Sequence, residues 1–396
     1  MMQDMDMGVQ DMDMGVQRVL VFPREAVARD VARELSDAGC RFVAVRADKG
    51  GRLWNVASLA VYPVPEDGPE QLVPFLEHER RRLAALARSR GGALLTHVYS
   101  STGGVPAFSR DGLVHEDQTS RIALPDPMPV RRPLPPGAPP WEGLDFGDSG
   151  TEIREVVAVA KRMYGTHRAV PQLLEFLMED AFSEGIEASG GGTRDFLADL
   201  VDAAHHMPTR DAGAVLVIPY LAELARSQAL SPGARTSLLH VLLGFASELD
   251  AATVRSADWS AMGGRVDLRH ATSLRDAATA QIPSLIPLWD RESDAARYVL
   301  ASLATFCSAQ TASLLRHRLA DIPAPRGTDR ADALALAAAL LDEDANALDL
   351  ALRRIATWDS ALAEQLESPH TPRPQAARAA LAAYVGRDLP NAVQLP

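Results

Sequence analysis

The chain has 396 residues, too many for one ordinary core, so two domains, or a domain followed by an array, is the expected plan. Aromatics make up 5% and the formal net charge is −12. A composition rich in alanine and leucine favours helices packed through small side chains, and the acidity argues against a phosphate-tracking surface.

Residues 1–17 contain a direct tandem copy, Gln3-Asp4-Met5-Asp6-Met7-Gly8-Val9 returning as Gln10-Asp11-Met12-Asp13-Met14-Gly15-Val16. This acidic, glycine-interrupted opening has neither the cationic region of a leader nor an apolar span, and it lacks the ligand spacing of a calcium loop, so it reads as a disordered tail. Cys40 and Cys307 lie far apart without CxxC spacing. Free thiols in a cytoplasmic protein are expected.

Residues 18–110 read as one α+β domain. Arg18-Val19-Leu20-Val21-Phe22 is a strand stopped by Pro23, and from Glu25 the apolar spacing becomes helical through Val27, Val31, Ala32 and Leu35, ending at Gly39. A second strand at 42–45, a hairpin turn at Asp48-Lys49-Gly50-Gly51 and a third strand at 53–62 follow. Residues 69–90 form a helix with Leu72, Val73, Leu76, Leu83 and Leu86 inward, its regular part starting at Pro74, and residues 93–99 are the fourth strand. The order β-α-β-β-α-β is that of a ferredoxin-like fold, with two helices on one face of the sheet and the other face left for a partner. Arg80-Arg81-Arg82, flanked by Glu77 and Glu79, reads as a self-paired helix face, and no strand carries the aromatic pair of an RNA-recognition motif.

The strand "VLVFP", the stretch "ELSDAGCRFVAVR", Trp54 after the hairpin and "ALARSRGG" before the last strand resemble the ribonuclease E inhibitor B family over about 85 residues. The family's aspartate-glycine-tryptophan close is replaced here by Leu94-Leu95-Thr96-His97-Val98-Tyr99. The resemblance implies a ferredoxin-like fold and a role in regulating RNA turnover through a protein partner.

Residues 111–150 are a linker whose prolines, dense over 125–140, make a semi-rigid polyproline spacer. Trp141, Leu144 and Phe146 are candidates to seat it against the helices that follow.

Apolar spacing then predicts helices at about 152–163, 168–182, 194–206, 211–228, 232–249, 268–289, 293–306, 309–320, 328–342, 345–357 and 374–385. Two cassettes recur among them. Val170-Pro171-Gln172-Leu173 returns as Ile218-Pro219-Tyr220-Leu221 and Ile282-Pro283-Ser284-Leu285, and Ala234-Arg235-Thr236-Ser237-Leu238 as Ala296-Arg297-Tyr298-Val299-Leu300 and Ala377-Arg378-Ala379-Ala380-Leu381. Offsets of roughly 64 and 62 residues between copies suit one or two helical-repeat units. Each arginine sits near a helix start, placed to reach an acidic group or free carbonyl of a neighbouring layer. "SDAARYVLASLATF" at 293–306 is the clearest copy, and the pattern over 151–388 resembles HEAT-like repeats, which implies an α-solenoid whose concave face holds a protein. Residues 389–396 are a C-terminal tail.

The chemistry-bearing patterns are thin. Gly190-Gly191-Gly192-Thr193 lacks the Gly-Lys-Ser/Thr ending of a phosphate loop. His205-His206 diverge on a helix and, with Asp202, make no ligand set, while Asp195 and Asp199 share a face without a signal for burial. Asp342-Glu343-Asp344 reads as a solvated turn. Trp259, Trp289 and Trp358 are the residues to inspect for base stacking, because HEAT-like alkylated-base glycosylases exist. No catalytic, cofactor-binding or metal residue is nominated; the marked positions are the structural ones, Pro171, Pro219, Pro283, Arg235, Arg297 and Arg378. The expectation is a non-enzymatic scaffold or adaptor for a basic protein, a regulator or inhibitor of a ribonuclease or toxin, with no cofactor and no membrane or nucleic acid as partner. The alternative is an enzyme acting on nucleic acid.

Overall fold

A computed structural model describes residues 13–65, 68–99, 107–125, 134–163, 194–195, 197–198, 201, 213–264, 266–307, 314–390 and 392–393. The chain divides into two units, residues 1–133 with 256–266, and residues 134–255 with 267–396.

The first unit is an antiparallel sheet with helices. Its strands are β1 (Asp13–Phe22), β2 (Phe42–Ala47), β3 (Trp54–Pro63), β4 (Ala93–Tyr99) and β5 (Leu113–Glu116), in the order β4-β1-β3-β2-β5. Helix α1 (Glu25–Asp37) and helix α2 (Val73–Ser89) cover one face, α2 preceded by a 3₁₀ turn at Pro69–Leu72. The 3₁₀ turn arises because Pro74, lacking an N–H, suits only the first turn of an α-helix. Strand alternation sends Met14, Val16, Leu20 and Phe22 against Ala28, Val31, Leu35, Leu76 and Leu83 of the helices.

Three expectations for this half change. Strand β1 begins at Asp13, so residues 13–17 are sheet and not tail: Met14 and Val16 are buried opposite Tyr62 and Ala60, and Asp13 pairs with Arg121 at 3.1 Å. Within the expected linker, Leu113–Glu116 adds a fifth strand at the free edge of β2. The face expected to await a partner is covered in part: Ala57, Leu59 and Val61 are buried there, and Val21, Leu53 and Ala93 pack against Trp259 and Met262 of the segment 256–266, while Val98 of β4 stays exposed on it.

The second unit is helical. Among the described residues it contains α3 (Ser149–Met163), α4 (Gly213–Arg226), α5 (Pro232–Ala261, whose last turns belong to the first unit), α6 (Arg269–Leu285), α7 (Asp294–Ala304), α8 (Asp329–Leu341), α9 (Ala345–Ala356), α10 (Ser360–Glu367) and α11 (Arg373–Asp388). The expected helix 268–289 ends early in a 3₁₀ stretch, Ile286–Arg291, where Pro287 sits, and α10 was not expected at all. Helix α5 is long and apolar enough to cross a membrane by length and composition, yet 67% of its apolar window is buried inside the fold.

One continuous apolar cluster runs from Val156 to Val393. Helix α4 packs on α6, α7 on α6, and α11 on both α7 and α8. A stack in which each layer meets only the next would stop there. Here α11 also returns to α5, where Arg378 binds Asp250, and Val393 bonds to Ser237 and His240. Two further boundaries move for the same reason. Residues 389, 392 and 393 are not a loose tail, since Leu389, Ala392 and Val393 are buried, and the linker is no free spacer beyond residue 134, since Trp141, Leu144 and Phe146 pack on the helical core.

Candidate functional site

The repeat positions come first, because the sequence singles them out. Arg235, in the first turn of α5, gives Glu292 a fork of hydrogen bonds, from Nε at 2.9 and 3.2 Å and from Nη2 at 3.1 Å, while Nη1 donates to the Leu230 carbonyl. Both side chains are buried, at 7% and 0% exposure. Arg297 in α7 donates from Nε to the Trp289 carbonyl at 2.9 Å and from Nη1 to Asp294 at 2.9 Å. Arg378 in α11 binds both oxygens of Asp250, at 2.6 and 3.2 Å, with its guanidinium over the Phe306 ring. The last turn before a helix leaves carbonyls without helical partners, and a fork of N–H donors at the next helix start answers them.

A fourth arginine does the same work and escaped the sequence pattern. Arg330 in α8 binds both oxygens of Asp388 at 2.7 and 3.0 Å and the Pro139 carbonyl at 2.8 Å, and lies 3.5 Å above the Trp141 ring centre. Its context, Asp329-Arg330-Ala331-Asp332-Ala333-Leu334, puts the leucine one residue later than the cassette does, and only tolerance of that shift would have found it.

The prolines mark helix interiors. Pro219 lies within α4 and Pro283 within α6, the two helices that pack together, and each is flanked by buried residues, Ile218 with Leu221 and Ile282 with Leu285. Each ring removes one helical N–H, so the proline takes the less buried side while its neighbours face the core. Pro171, the glycine run 190–193, the pair His205-His206, Asp199 and Asp202 lie outside the described residues; Asp195 is exposed. Asp344 caps α9 by accepting from Asn346 and Ala347, and Glu343 before it takes a φ of 53°. Among the described residues no cluster of histidine, cysteine and carboxylates has metal-site geometry.

Two of the three tryptophans, Trp289 and Trp358, are buried and present no open face of the kind base stacking needs, and Trp259 is partly buried. Trp289 is buried with Arg318 over its ring, Trp358 is buried and donates Nε1–H to Asp332 at 3.0 Å, and Trp259 packs on the sheet of the first unit.

A polar row inside the first unit went unread. Strand register aligns His97 on β4, Arg18 on β1 and Ser58 on β3 side by side on the helix-covered face. Arg18 is 1% exposed; it donates to the Tyr62 hydroxyl and lies 3.9 Å from Glu79 of α2. Arg18 Nε, Ser58 Oγ and His97 Nε2 are buried without a hydrogen-bond partner among the described residues. Burial pushes the Tyr62 phenol up to about 12 and raises the Cys40 thiol, against the pull of the Arg18 charge. Burial also pushes Glu79 up, but its bond to Arg82 and the charges of Arg82 and Arg18 outweigh this and hold it low. Through Tyr62 and Glu79 the buried Arg18 of this row helps to specify the packing of α2 on the sheet. Alternation was the available signal: Arg18 falls on the same strand face as Val16 and Leu20.

This row makes acid sensitivity measurable. Burial first, then the Arg18 and Arg80 charges, lower His97 from 6.5 to about 3. Between those values the unfolded chain binds a proton that the folded one refuses, so the stabilisation is complete above pH 6.5 and drains away as pH falls toward 3. In urea denaturation the wild type should lose about 2 kcal/mol more than His97→Gln between pH 8 and pH 5. Equal losses in the two proteins would show that His97 titrates normally.

Comparison of the chain with family models, with characterised proteins and with solved structures finds no match.

Proposed function

We propose that this chain is a non-enzymatic interaction protein of the cytoplasm, in which a ferredoxin-like module widened by a fifth strand is joined to HEAT-like helical layers that hold a basic protein. The strand order β4-β1-β3-β2 with two helices on one face supports the first part of the fold reading. Arginine-anchored helix starts and the paired proline-bearing helices α4 and α6 support the second, with the last helix folded back onto α5.

The observation that carries the functional reading is where the arginines go. Residues 134–255 and 267–396 together hold 33 Asp and Glu against 22 Lys and Arg. Arg235, Arg297, Arg330 and Arg378 are each paired with one carboxylate of the helical unit, so these pairs cancel and the surplus of carboxylates is left to set its outward field. Residues 164–212 alone carry nine carboxylates against three arginines. Such a field speeds encounter with a cationic protein and repels nucleic acid. A basic ribonuclease or toxin is a partner of this chemistry, consistent with the regulatory role that the N-terminal resemblance implies.

Affinity purification of the tagged full chain from its own cells, with and without nuclease, tests this. The expected result is one basic protein in stoichiometric amount that survives nuclease and is released as salt rises. Recovery of nucleic acid alone would overturn the proposal in favour of an enzyme acting on nucleic acid.

A further inference from the structure

The helical unit carries a cavity of about 250 Å³ that none of the repeat positions lines. Four stretches build it: the segment around Trp141 and Phe146, the first turns of α5, Asp329 at the start of α8, and Arg387–Pro390 with Ala392. Each is fixed in place. Gly233 has no room for a Cβ, which would strike the Leu144 carbonyl and come within 2.9 Å of the Asp145 carbonyl, so the first segment lies directly on the α5 backbone. The chain end hangs on α5 through the Val393 N–H to Ser237 Oγ, 3.2 Å, and through His240 Nδ1 to the Val393 carbonyl, 3.0 Å. The Trp141 ring is held by Arg330 and by Tyr298, whose ring centre is 5.6 Å away.

Three charged side chains line this cavity. Asp388 is occupied by Arg330, whereas the other two have no ion-pair partner among the described residues and reach solvent, Asp329 in part and Arg387 as an exposed side chain. Asp329 accepts only the N–H of Arg330, at 2.8 Å, and has no cation within ion-pair distance among the described residues. Arg387 lies over the rings of Tyr384 and Trp358, 4.7 and 5.4 Å from their centres, with no carboxylate within reach among the described residues. These two groups line one cavity without pairing with each other, and the wall beside them is apolar. A partly exposed carboxylate and an exposed guanidinium that line one cavity together with Trp141 and Phe146 are complementary to a small zwitterion with an apolar side chain.

We infer that the cavity binds a free α-amino acid with an apolar side chain, its ammonium on Asp329, its carboxylate on Arg387, and its side chain against Trp141 and Phe146. The volume falls just below the roughly 300–1,000 Å³ of drug-sized sites, a size that suits a ligand as small as an amino acid. Because its walls come from four distant stretches of chain, the ligand ties them together, and the site gives the helical unit a metabolite-dependent stability separate from any protein partner.

Calorimetric titration of the full chain with L-phenylalanine, 3-phenylpropanoate and phenethylamine tests the inference. L-Phenylalanine should bind at one site and at least about tenfold tighter than either analogue, each of which lacks one of the two charges. Asp329→Asn should weaken L-phenylalanine by about tenfold and abolish its advantage over 3-phenylpropanoate. Arg387→Gln should abolish its advantage over phenethylamine, with circular dichroism as the check on folding. The analogue series on the unaltered protein decides the matter even if Arg387→Gln disturbs Tyr384 and Trp358. Equal affinity for all three compounds, or no binding of L-phenylalanine, L-leucine or L-tryptophan at millimolar concentration, would overturn the inference.

Discussion

Arg235→Ala should lower the unfolding free energy of the helical unit by about 3–5 kcal/mol in urea denaturation. The side chain makes three hydrogen-bond contacts to Glu292 and one to the Leu230 carbonyl, and Glu292 is fully buried. Truncation leaves a carboxylate with neither water nor a counter-charge, and its desolvation cost is no longer offset. Replacing both partners should behave differently. Arg235→Met with Glu292→Leu removes both charges and fills much of the same space, so most of the loss should be recovered. The pair Arg255–Glu248, at 63% and 40% exposure, is the internal control: Arg255→Ala should cost no more than about 0.5 kcal/mol. If Arg235→Ala costs as little as Arg255→Ala, the buried fork is not what holds the start of α5 to the segment before α7.

What could be read without coordinates was local. Strands β1 to β4 and helices α1 and α2 announce themselves through runs of six to seventeen residues whose period matches their own geometry, and β1, β3, α1 and α2 each stop within two residues of a glycine or proline. The arginine cassettes were equally visible, but not what they bind: Glu292 is 57 residues from Arg235, and Asp250 is 128 from Arg378. Strand β5 failed for the same reason, since Leu113–Glu116 is four residues long and gains its identity only by pairing with β2, about 70 residues earlier. The packing of Trp259 against the first sheet and the cavity around Trp141 are likewise products of long-range return, to which no local period corresponds. Arg18 stands between these cases. Its strand position was legible and its face followed from alternation, yet an arginine on an apolar face conflicts with the burial rule, and only the coordinates show that Tyr62 and Glu79 receive it.

Gly92→Ala should destabilise the first unit by about 3 kcal/mol, the upper end of what overpacking costs, whereas Gly91→Ala should cost only about 1 kcal/mol. The two neighbours fail for different reasons. Gly91 follows the end of α2 with a φ of 71° and open space where a Cβ would go, so alanine there meets only the strain of a left-handed backbone. Gly92 closes the same turn, its N–H donating to the Ala87 carbonyl at 2.8 Å. A Cβ on it would fall inside contact distance of both the Val21 carbonyl oxygen and the Phe22 ring. Val21 is a fixed rung of the β1–β4 ladder and cannot swing aside as a flexible side chain can. Relief therefore requires β4 to lift from β1, at the strand whose His97 aligns with Arg18, and hydrogen exchange of the β1 and β4 amides should quicken in Gly92→Ala but not in Gly91→Ala. Gly91→Asn should recover much of the Gly91→Ala loss, because asparagine tolerates the left-handed region, while no side chain at position 92 should be tolerated better than alanine. Equal stability of Gly92→Ala and Gly91→Ala would mean that the close approach of the α2–β4 turn to β1 does not hold in solution.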